Sequence, residues 1–335
     1  MNTVDTLDRP LRDLRISVTD RCNFRCTYCM PREVFDRAYH FLPKEQMLSF
    51  EEIKRIAELF VGLGVEKIRL TGGEPLMRRD LESLIEMLAN IPRIQDLALT
   101  TNGSFSLQRV QSLKNAGLTR ISISLDSLDD EIFKAMNDVD FSVQRVLDWI
   151  EASAEAGLSP VKVNMVVKRD LNEDSILPMA RYFKEKGHIL RFIEYMDVGH
   201  TNGWRLDDVV PAAEIVQCIN AELPIQPADA NYRGEVANRY RYEDGSGEIG
   251  LIASVTQPFC GDCTRMRVSA DGKLYTCLFA VHGHDLRELL RAGATDEQII
   301  QAISGVWAKR ADRYSEQRSL QTDELPKVEM SYIGG

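Results

Sequence analysis

Nowhere in the sequence does an apolar run approach the ~18 residues of a membrane-crossing helix, so a helical membrane span is excluded. The opening Met1-Asn2-Thr3-Val4-Asp5 lacks the basic patch and apolar stretch of a secretory leader, which makes the cytoplasm the expected location. Positive charge is short as well. A net charge of −10 argues against a broad nucleic-acid or anionic-membrane surface, because both need a basic face. Low-complexity stretches, basic tails and short repeats are missing too. Cysteine is scarce: of seven in 335 residues, six fall in two triplets and only Cys218 is left over, a grouping foreign to secreted disulfide frameworks. With 44% hydrophobic residues the chain can bury a large core, as two domains or as one barrel-sized domain with an extension.

Each triplet also lacks a fourth member. Cys22, Cys26 and Cys29 are spaced C-x3-C-x2-C, and Cys260, Cys263 and Cys277 are spaced C-x2-C-x13-C. A tetrahedral zinc or an ordinary four-iron cluster takes four protein ligands, so three close thiolates leave one metal position for something other than protein. The alternative is a structural zinc, completed by His40 at the first triplet and by His282 or His284 at the second.

Strand-like runs are present near Leu14 to Val18, Lys67 to Thr71, Leu97 to Thr101, Arg120 to Leu125, Val161 to Val167 and Leu190 to Tyr195. They alternate with helix-like segments, the pattern of βα units around a parallel sheet. Ser49 with Glu52 forms a capping box, and Gly117, Gly157 and Gly187 stand where glycines stop helices. The strands alternate in polarity. Ile68 and Leu70 oppose Lys67, Arg69 and Thr71; Leu14 and Ile16 oppose Arg15 and Ser17; Ile121 and Ile123 oppose Ser122 and Ser124. A closed eight-strand barrel fills its interior with Val, Ile and Leu, so a polar inner face implies an incomplete barrel with a ligand or water inside. An open sheet whose polar positions face solvent is the alternative. The cysteine loop, Gly72-Gly73-Glu74-Pro75, Thr100-Thr101-Asn102-Gly103, Asp126 and Glu194-Tyr195-Met196-Asp197 all follow strand ends, the rim where βα barrels assemble sites.

The interior parity gathers cations despite the acidic total. Arg15, Lys67, Arg69, Lys162 and Arg191 project from different strands, with Arg265 and Arg267 two apart beside the second triplet. Such a basic lumen suits a polyanion, since arginine forks match phosphate oxygens and lysine adds a point charge. Cys218, on an apolar helix with Ile215, Val216 and Ile219, is expected to be a buried core thiol.

The C-x3-C-x2-C run with Tyr28 before its last cysteine resembles the signature of the radical S-adenosylmethionine (SAM) enzymes. Gly72-Gly73-Glu74-Pro75 resembles their SAM-binding segment. The second triplet, in Phe259-Cys260-Gly261-Asp262-Cys263-Thr264-Arg265-Met266-Arg267 with a turn at Asp271-Gly272 before Cys277, resembles the GTP 3′,8-cyclases that open molybdenum-cofactor biosynthesis. Asp20 to Cys26, Lys67 to Pro75 and the final Gly334-Gly335 extend the likeness almost end to end, while the stretch from Asn202 to Ser254 carries no motif.

The resemblance implies an α/β fold: an incomplete (βα)6 TIM-like barrel in residues 1–200, then a C-terminal extension in 201–335 carrying a second Fe-S cluster and the Gly-Gly tail. It implies two [4Fe-4S] clusters on the two triplets, SAM near Tyr28, Gly73, Glu74, Ser124 and Met196, and GTP near Arg15, Lys67, Arg69, Thr100, Lys162, Arg191, Arg265, Met266 and Arg267. Gly334 and Gly335 are expected to reach into the active site, and no general base is assigned. Partners implied are GTP, SAM, an electron donor, the next pathway enzyme (cyclic pyranopterin monophosphate synthase) and a second copy in a homodimer, with neither nucleic acid nor membrane. The rival readings are a peptide-modifying radical SAM enzyme and a non-catalytic cluster carrier.

Overall fold

The computed structural model describes residues 3–318 and 327–335. The first strand, β1 (Asp13–Ser17), leads into the cysteine loop, and α1 (Phe50–Gly62) begins at Ser49, whose hydroxyl accepts from the Glu52 amide while Glu52 accepts from the Ser49 amide. The alternation continues through β2 (Lys67–Thr71), α2 (Leu81–Ala89), β3 (Asp96–Thr101), α3 (Gln108–Asn115) and β4 (Arg120–Ser124). After α4 (Asp130–Asn137) and α5 (Val143–Glu155) come β5 (Lys162–Val167), α6 (Ile176–Lys186) and β6 (Ile189–Glu194). Gly187 ends α6 in the left-handed conformation at φ 71°, where a side chain is disfavoured.

The apolar strand faces turn outward onto the helices. Leu14, Ile68, Leu70, Ile123, Val163 and Met165 are completely buried, and α1 meets them with Ile53, Ile56, Ala57 and Phe60. Each such side chain contributes roughly 1.5–3 kcal/mol on burial. The polar face is enclosed rather than solvated: Arg69, Ser122 and Arg267 are 8%, 1% and 5% exposed, which removes the open-sheet alternative.

The chain beyond residue 201 does not stand apart from this sheet. After α7 (Ala212–Asn220), it supplies β7 (Ile225–Ala228), β8 (Asn238–Tyr242), β9 (Glu248–Ile252), β10 (Arg265–Val268), β11 (Lys273–Tyr275) and β12 (His284–Asp285). Among the described residues twelve strands form one sheet in the order β12-β11-β10-β1-β2-β3-β4-β5-β6-β9-β8-β7. Strand β10 lies parallel to β1 and β9 parallel to β6, so the six βα strands are lengthened by one parallel strand at each end. That addition was hidden in the sequence because β9 reaches β6 only after α7 and the hairpin strands β7 and β8, and β10 pairs with a strand made about 250 residues earlier. Helices α8 (Arg287–Arg291), α9 (Asp296–Ala308) and α10 (Tyr314–Gln317) follow, with α9 packed beside α1.

Two expectations are corrected. Cys218 is exposed, because α7 turns Ala212, Ile215 and Ile219 to the core and leaves Cys218 on its outer flank. Met266 pairs in register with Leu14 between Arg265 and Arg267, so its side chain lies on the helix-facing side and is completely buried in the core, away from the lumen. Met266→Ala should therefore cost about 2–5 kcal/mol in denaturant unfolding of the metal-free chain; a near-neutral effect would mean that the side chain does not pack there.

Candidate functional site

One cavity of about 290 Å³ is lined by all six triplet cysteines, by the interior faces of the parallel strands and by Met330 and Gly335. Its size is on the scale of a small-molecule site. Because strand parity is two, the cations of adjacent strands meet in register: Arg267 of β10, Arg15 of β1 and Arg69 of β2 stand side by side. The lowered proton affinity of Arg15 comes first from burial and then from Arg267, Arg265 and Arg69. Burial and Arg265 bring Arg267 down to about 10, and burial with Arg69 and Arg120 brings Arg191 down to about 9.

Hydroxyls orient this row. Arg69 donates to Thr100 Oγ1 (3.0 Å) and Ser122 Oγ (3.1 Å), and Arg191 donates to Ser122 Oγ at 2.9 Å. Arg191 Nε, Arg265 Nη1 and Asn164 Oδ1 are buried there with hydrogen-bonding capacity unused. Lys67 and Lys162 fall outside the cavity lining. Lys67 sits between Asp13 (3.5 Å), Asp96 (3.7 Å) and the Tyr232 hydroxyl (2.8 Å), while Lys162 is pushed down to about 7 by burial and then by Arg191 and Arg120.

The first triplet depends on a close backbone approach. The Gly73 amide donates to Thr19 O and the Glu74 amide to Arg21 O, both at 2.8 Å, which fastens the loop after β2 to the cysteine loop. A Cβ on Gly72 would stand 2.4 Å from Thr19 O, and one on Gly73 would stand 2.3 Å from Arg21 O. Glycine is required at both positions for that reason, and at Gly72 also because φ is +149°. The Glu74 carboxylate accepts from Leu76 N (3.0 Å), Thr101 Oγ1 (2.8 Å) and Asn102 N (2.8 Å), joining the loops after β2 and β3. Burial pushes it up to about 7 against those donors. Tyr28 donates to Asp126 Oδ2 at 2.9 Å, and burial likewise raises Asp126 to about 7. Ser124 and Met196 line the cavity with them.

The donor sets fit an iron–sulfur group. Burial, followed by Glu74, pushes the Cys22 thiol up to about 12; Cys26 rises by burial and then by Cys22, Asp126 and Cys29, so the three sulfurs feel one another's charge. Buried thiolates of one sign need a cationic group among them. Cys277 is pushed up to about 12 by burial, whereas at Cys263 burial is outweighed by Arg265 and Arg310, which bring it down to about 6. His40, His282 and His284 are all exposed, and among the described residues no group of His, Cys, Asp or Glu is arranged for a single metal ion.

The tail enters the cavity. Arg267 donates to Gly334 O, Gly335 lines the wall, and a Cβ on Gly334 would stand 2.2 Å from Thr71 Cγ2. Its approach is held by Glu329, which accepts from His200 N and Thr201 Oγ1 (3.0 Å each), and by Lys327 on Asp197 (3.0 Å). Glu194 at the end of β6 accepts from Ala212 N (2.8 Å), Val255 N (2.8 Å) and Thr256 N (2.9 Å), and so anchors the segment that leads to Cys260. Sequence reasoning placed Glu194 and Asp197 at a strand end without roles. It gave no sign of Arg310, which meets Asp5 and Cys263, or of the loop around Tyr232, which meets Lys67, because these partners are distant in the chain.

Gly73→Ala is expected to displace the cysteine loop and to at least halve the iron held by the first triplet, measured as iron per chain after anaerobic purification. Full iron content in that variant would show that the loops can part without loss.

A family model described as the radical SAM superfamily matches residues 16–183, and one described as molybdenum cofactor synthesis C matches residues 188–316. A GTP 3′,8-cyclase of Acidothermus cellulolyticus is 52% identical, with 99% of this chain and 98% of the relative covered. One of Staphylococcus aureus is 49% identical at the same coverage. Among solved structures, Streptococcus suis SuiB bound to S-adenosylmethionine superposes with a TM-score of 0.61 at 14% identity, covering 94% of this chain and 72% of SuiB, a likeness of fold. Glycine pair, thiol triplets and end-to-end identity agree: the chain belongs to the radical SAM superfamily and, within it, to the GTP 3′,8-cyclase family.

Proposed function

We propose that the chain is a GTP 3′,8-cyclase that uses SAM to convert GTP into (8S)-3′,8-cyclo-7,8-dihydroguanosine 5′-triphosphate, the first step of molybdenum-cofactor biosynthesis. One observation carries this reading: two three-thiol sets open onto a single cavity whose wall bears an in-register row of arginines. Cys22, Cys26 and Cys29 would hold one [4Fe-4S] cluster and Cys260, Cys263 and Cys277 another, each with one iron free of protein. When bound with SAM, the reduced first cluster supplies a carbon-centred radical able to take a hydrogen atom from a sugar carbon.

The residues of the chain provide placement. Tyr28, Gly73, Glu74, Ser124 and Met196 surround the space beside the first triplet and are assigned to SAM; because the Glu74 carboxylate already accepts three protein hydrogen bonds, its part is to shape that space. Arg15, Arg69, Thr100, Arg191, Arg265 and Arg267 are assigned to the nucleotide, with the unused donors of Arg191 and Arg265 available to phosphate oxygens. Lys67 and Lys162 add charge from behind this row. Gly334 and Gly335 close the cavity and keep water from the reacting carbons. The proposal also includes an external one-electron donor, release of the product to cyclic pyranopterin monophosphate synthase, a homodimeric assembly, a cytoplasmic setting, and a division near residue 200 between a radical SAM partial barrel (1–200) and a C-terminal extension (201–335) that carries the second cluster and the Gly-Gly tail.

Anaerobic incubation with GTP, SAM and a strong reductant should yield 5′-deoxyadenosine and the cyclised nucleotide in equal amounts, read by mass spectrometry; 5′-deoxyadenosine without altered nucleotide would sink the substrate assignment. Arg191→Ala should raise KM for GTP by roughly tenfold to a hundredfold, the loss of a charged hydrogen bond. Lys162, whose pKa is held near about 7 in the free chain, is largely neutral at pH 8. A bound polyanion favours its charged form, so GTP binding at pH 8 should take up close to one proton. Calorimetry in buffers of different ionisation enthalpy measures that uptake, and Lys162→Met should abolish it.

A further inference from the structure

We propose that Asp5, Arg9 and Arg310 are positioning residues that hold the ligand turn of the second cluster, making that cluster dependent on the N-terminal segment. This rests on the two-cluster reading above. The turn Cys260–Asp262 is a single 3-10 turn with no side-chain cap of its own, too short to fix two cluster ligands by itself. Its carbonyls are held from outside. Arg9 Nη1 donates to Cys260 O at 2.7 Å and to Asp312 O at 2.9 Å, and Arg310 Nη1 donates to Cys263 O at 2.6 Å.

Both guanidiniums are fixed in turn. Asp5 Oδ2 lies 2.6 Å from Arg9 Nε and 3.6 Å from Arg310 Nη1, while Asp5 Oδ1 accepts from the amides of Leu7 (2.9 Å) and Arg9 (3.0 Å). Arg310 also pairs with Asp312 at 3.1 Å and lies over the Trp307 ring at 4.6 Å; Trp307 Nε1 donates to Arg9 O at 3.0 Å, and Thr6 Oγ1 donates to Arg310 O at 2.6 Å. The network thus joins three stretches of chain: residues 5–9, 307–312 and 260–263.

Its cost argues for a specific role. Arg9, Asp5 and Arg310 are 0%, 5% and 4% exposed, and desolvating ions carries a penalty that apolar side chains of similar volume would not incur. What apolar packing cannot do is present two forked donors to two carbonyls at fixed positions. The first triplet is built differently, through the Gly72-Gly73 approach to Thr19 and Arg21, and so serves as an internal control.

The experiment is a chelator challenge of the reconstituted full-length protein, with the two clusters followed separately by Mössbauer and electron paramagnetic resonance spectra. In Arg9→Gln the second cluster should be lost at least tenfold faster than in the unaltered protein, with the release rate of the first unchanged. Arg310→Lys keeps the charge but loses the fork, and should also accelerate second-cluster release; this milder variant keeps the test in force if Arg9→Gln does not fold. Unchanged release in the folded variants, or equal acceleration of both clusters, would overturn the positioning role. An unaltered protein that binds only about four irons would overturn the two-cluster reading itself, and this proposal with it.

Discussion

Like charge confined in a lumen is the constraint around which this molecule is arranged. Arg267, Arg15 and Arg69 stand at matching register positions on three neighbouring strands, the outer two buried and Arg15 half-buried between them, and they repel one another. Such a row opposes folding by itself. It is tolerated because Thr100 and Ser122 supply hydrogen-bond acceptors, the Gly334 carbonyl supplies another, and the opposite strand faces bury a continuous aliphatic layer against the helices. Polar strand positions that would otherwise be filled by Val or Ile are thereby kept free inside the lumen, and on the proposed reading the charge of a polyanionic ligand would remove the repulsion on binding.

Closure of the site is a second consequence. An incomplete parallel array leaves a seam, and the chain after residue 201 treats both margins alike, adding a parallel strand and then an antiparallel hairpin partner at each end. On one margin β10 carries Arg265 and Arg267 into the same row as the barrel cations. On the other, β9 follows β6, and Glu194 fastens the segment leading to the second triplet. Both triplets thus face one cavity although nearly the whole chain separates them.

Much of this was legible from residue order. Period-two alternation in β1, β2 and β4 identified the polar lumen, because parity survives folding unchanged. The thiol spacings and the glycine pair picked out the loops whose thiols line the cavity, since local chemistry imposes them. Met266 was misplaced because its neighbours Arg265 and Arg267 drew attention to the motif rather than to the alternation within it. Cys218 was misplaced because a short amphipathic helix has flanks that composition alone cannot orient. Lys67 and Lys162 have interior parity but sit outside the cavity lining, a matter of height along the strand that the stagger of the sheet decides. The Asp5–Arg9–Arg310 network left no pattern that sequence could assign, as its local Asp5–Arg9 pair gains its place only through contacts to Asp312 and Arg310 about three hundred residues away.

The place of β1 in the middle of the sheet bears on biosynthesis. One neighbour, β2, is translated soon after it, but the other, β10, is made some two hundred and fifty residues later. Throughout that interval β1 has an unpaired edge and the Cys22, Cys26 and Cys29 loop lacks the far wall of its chamber. Long-range pairing of this kind is slow and leaves strand edges exposed to wrong partners. The completed chamber is therefore a late product of chain elongation, and the ribosome releases a polypeptide whose first cysteine triplet was made early and is enclosed last.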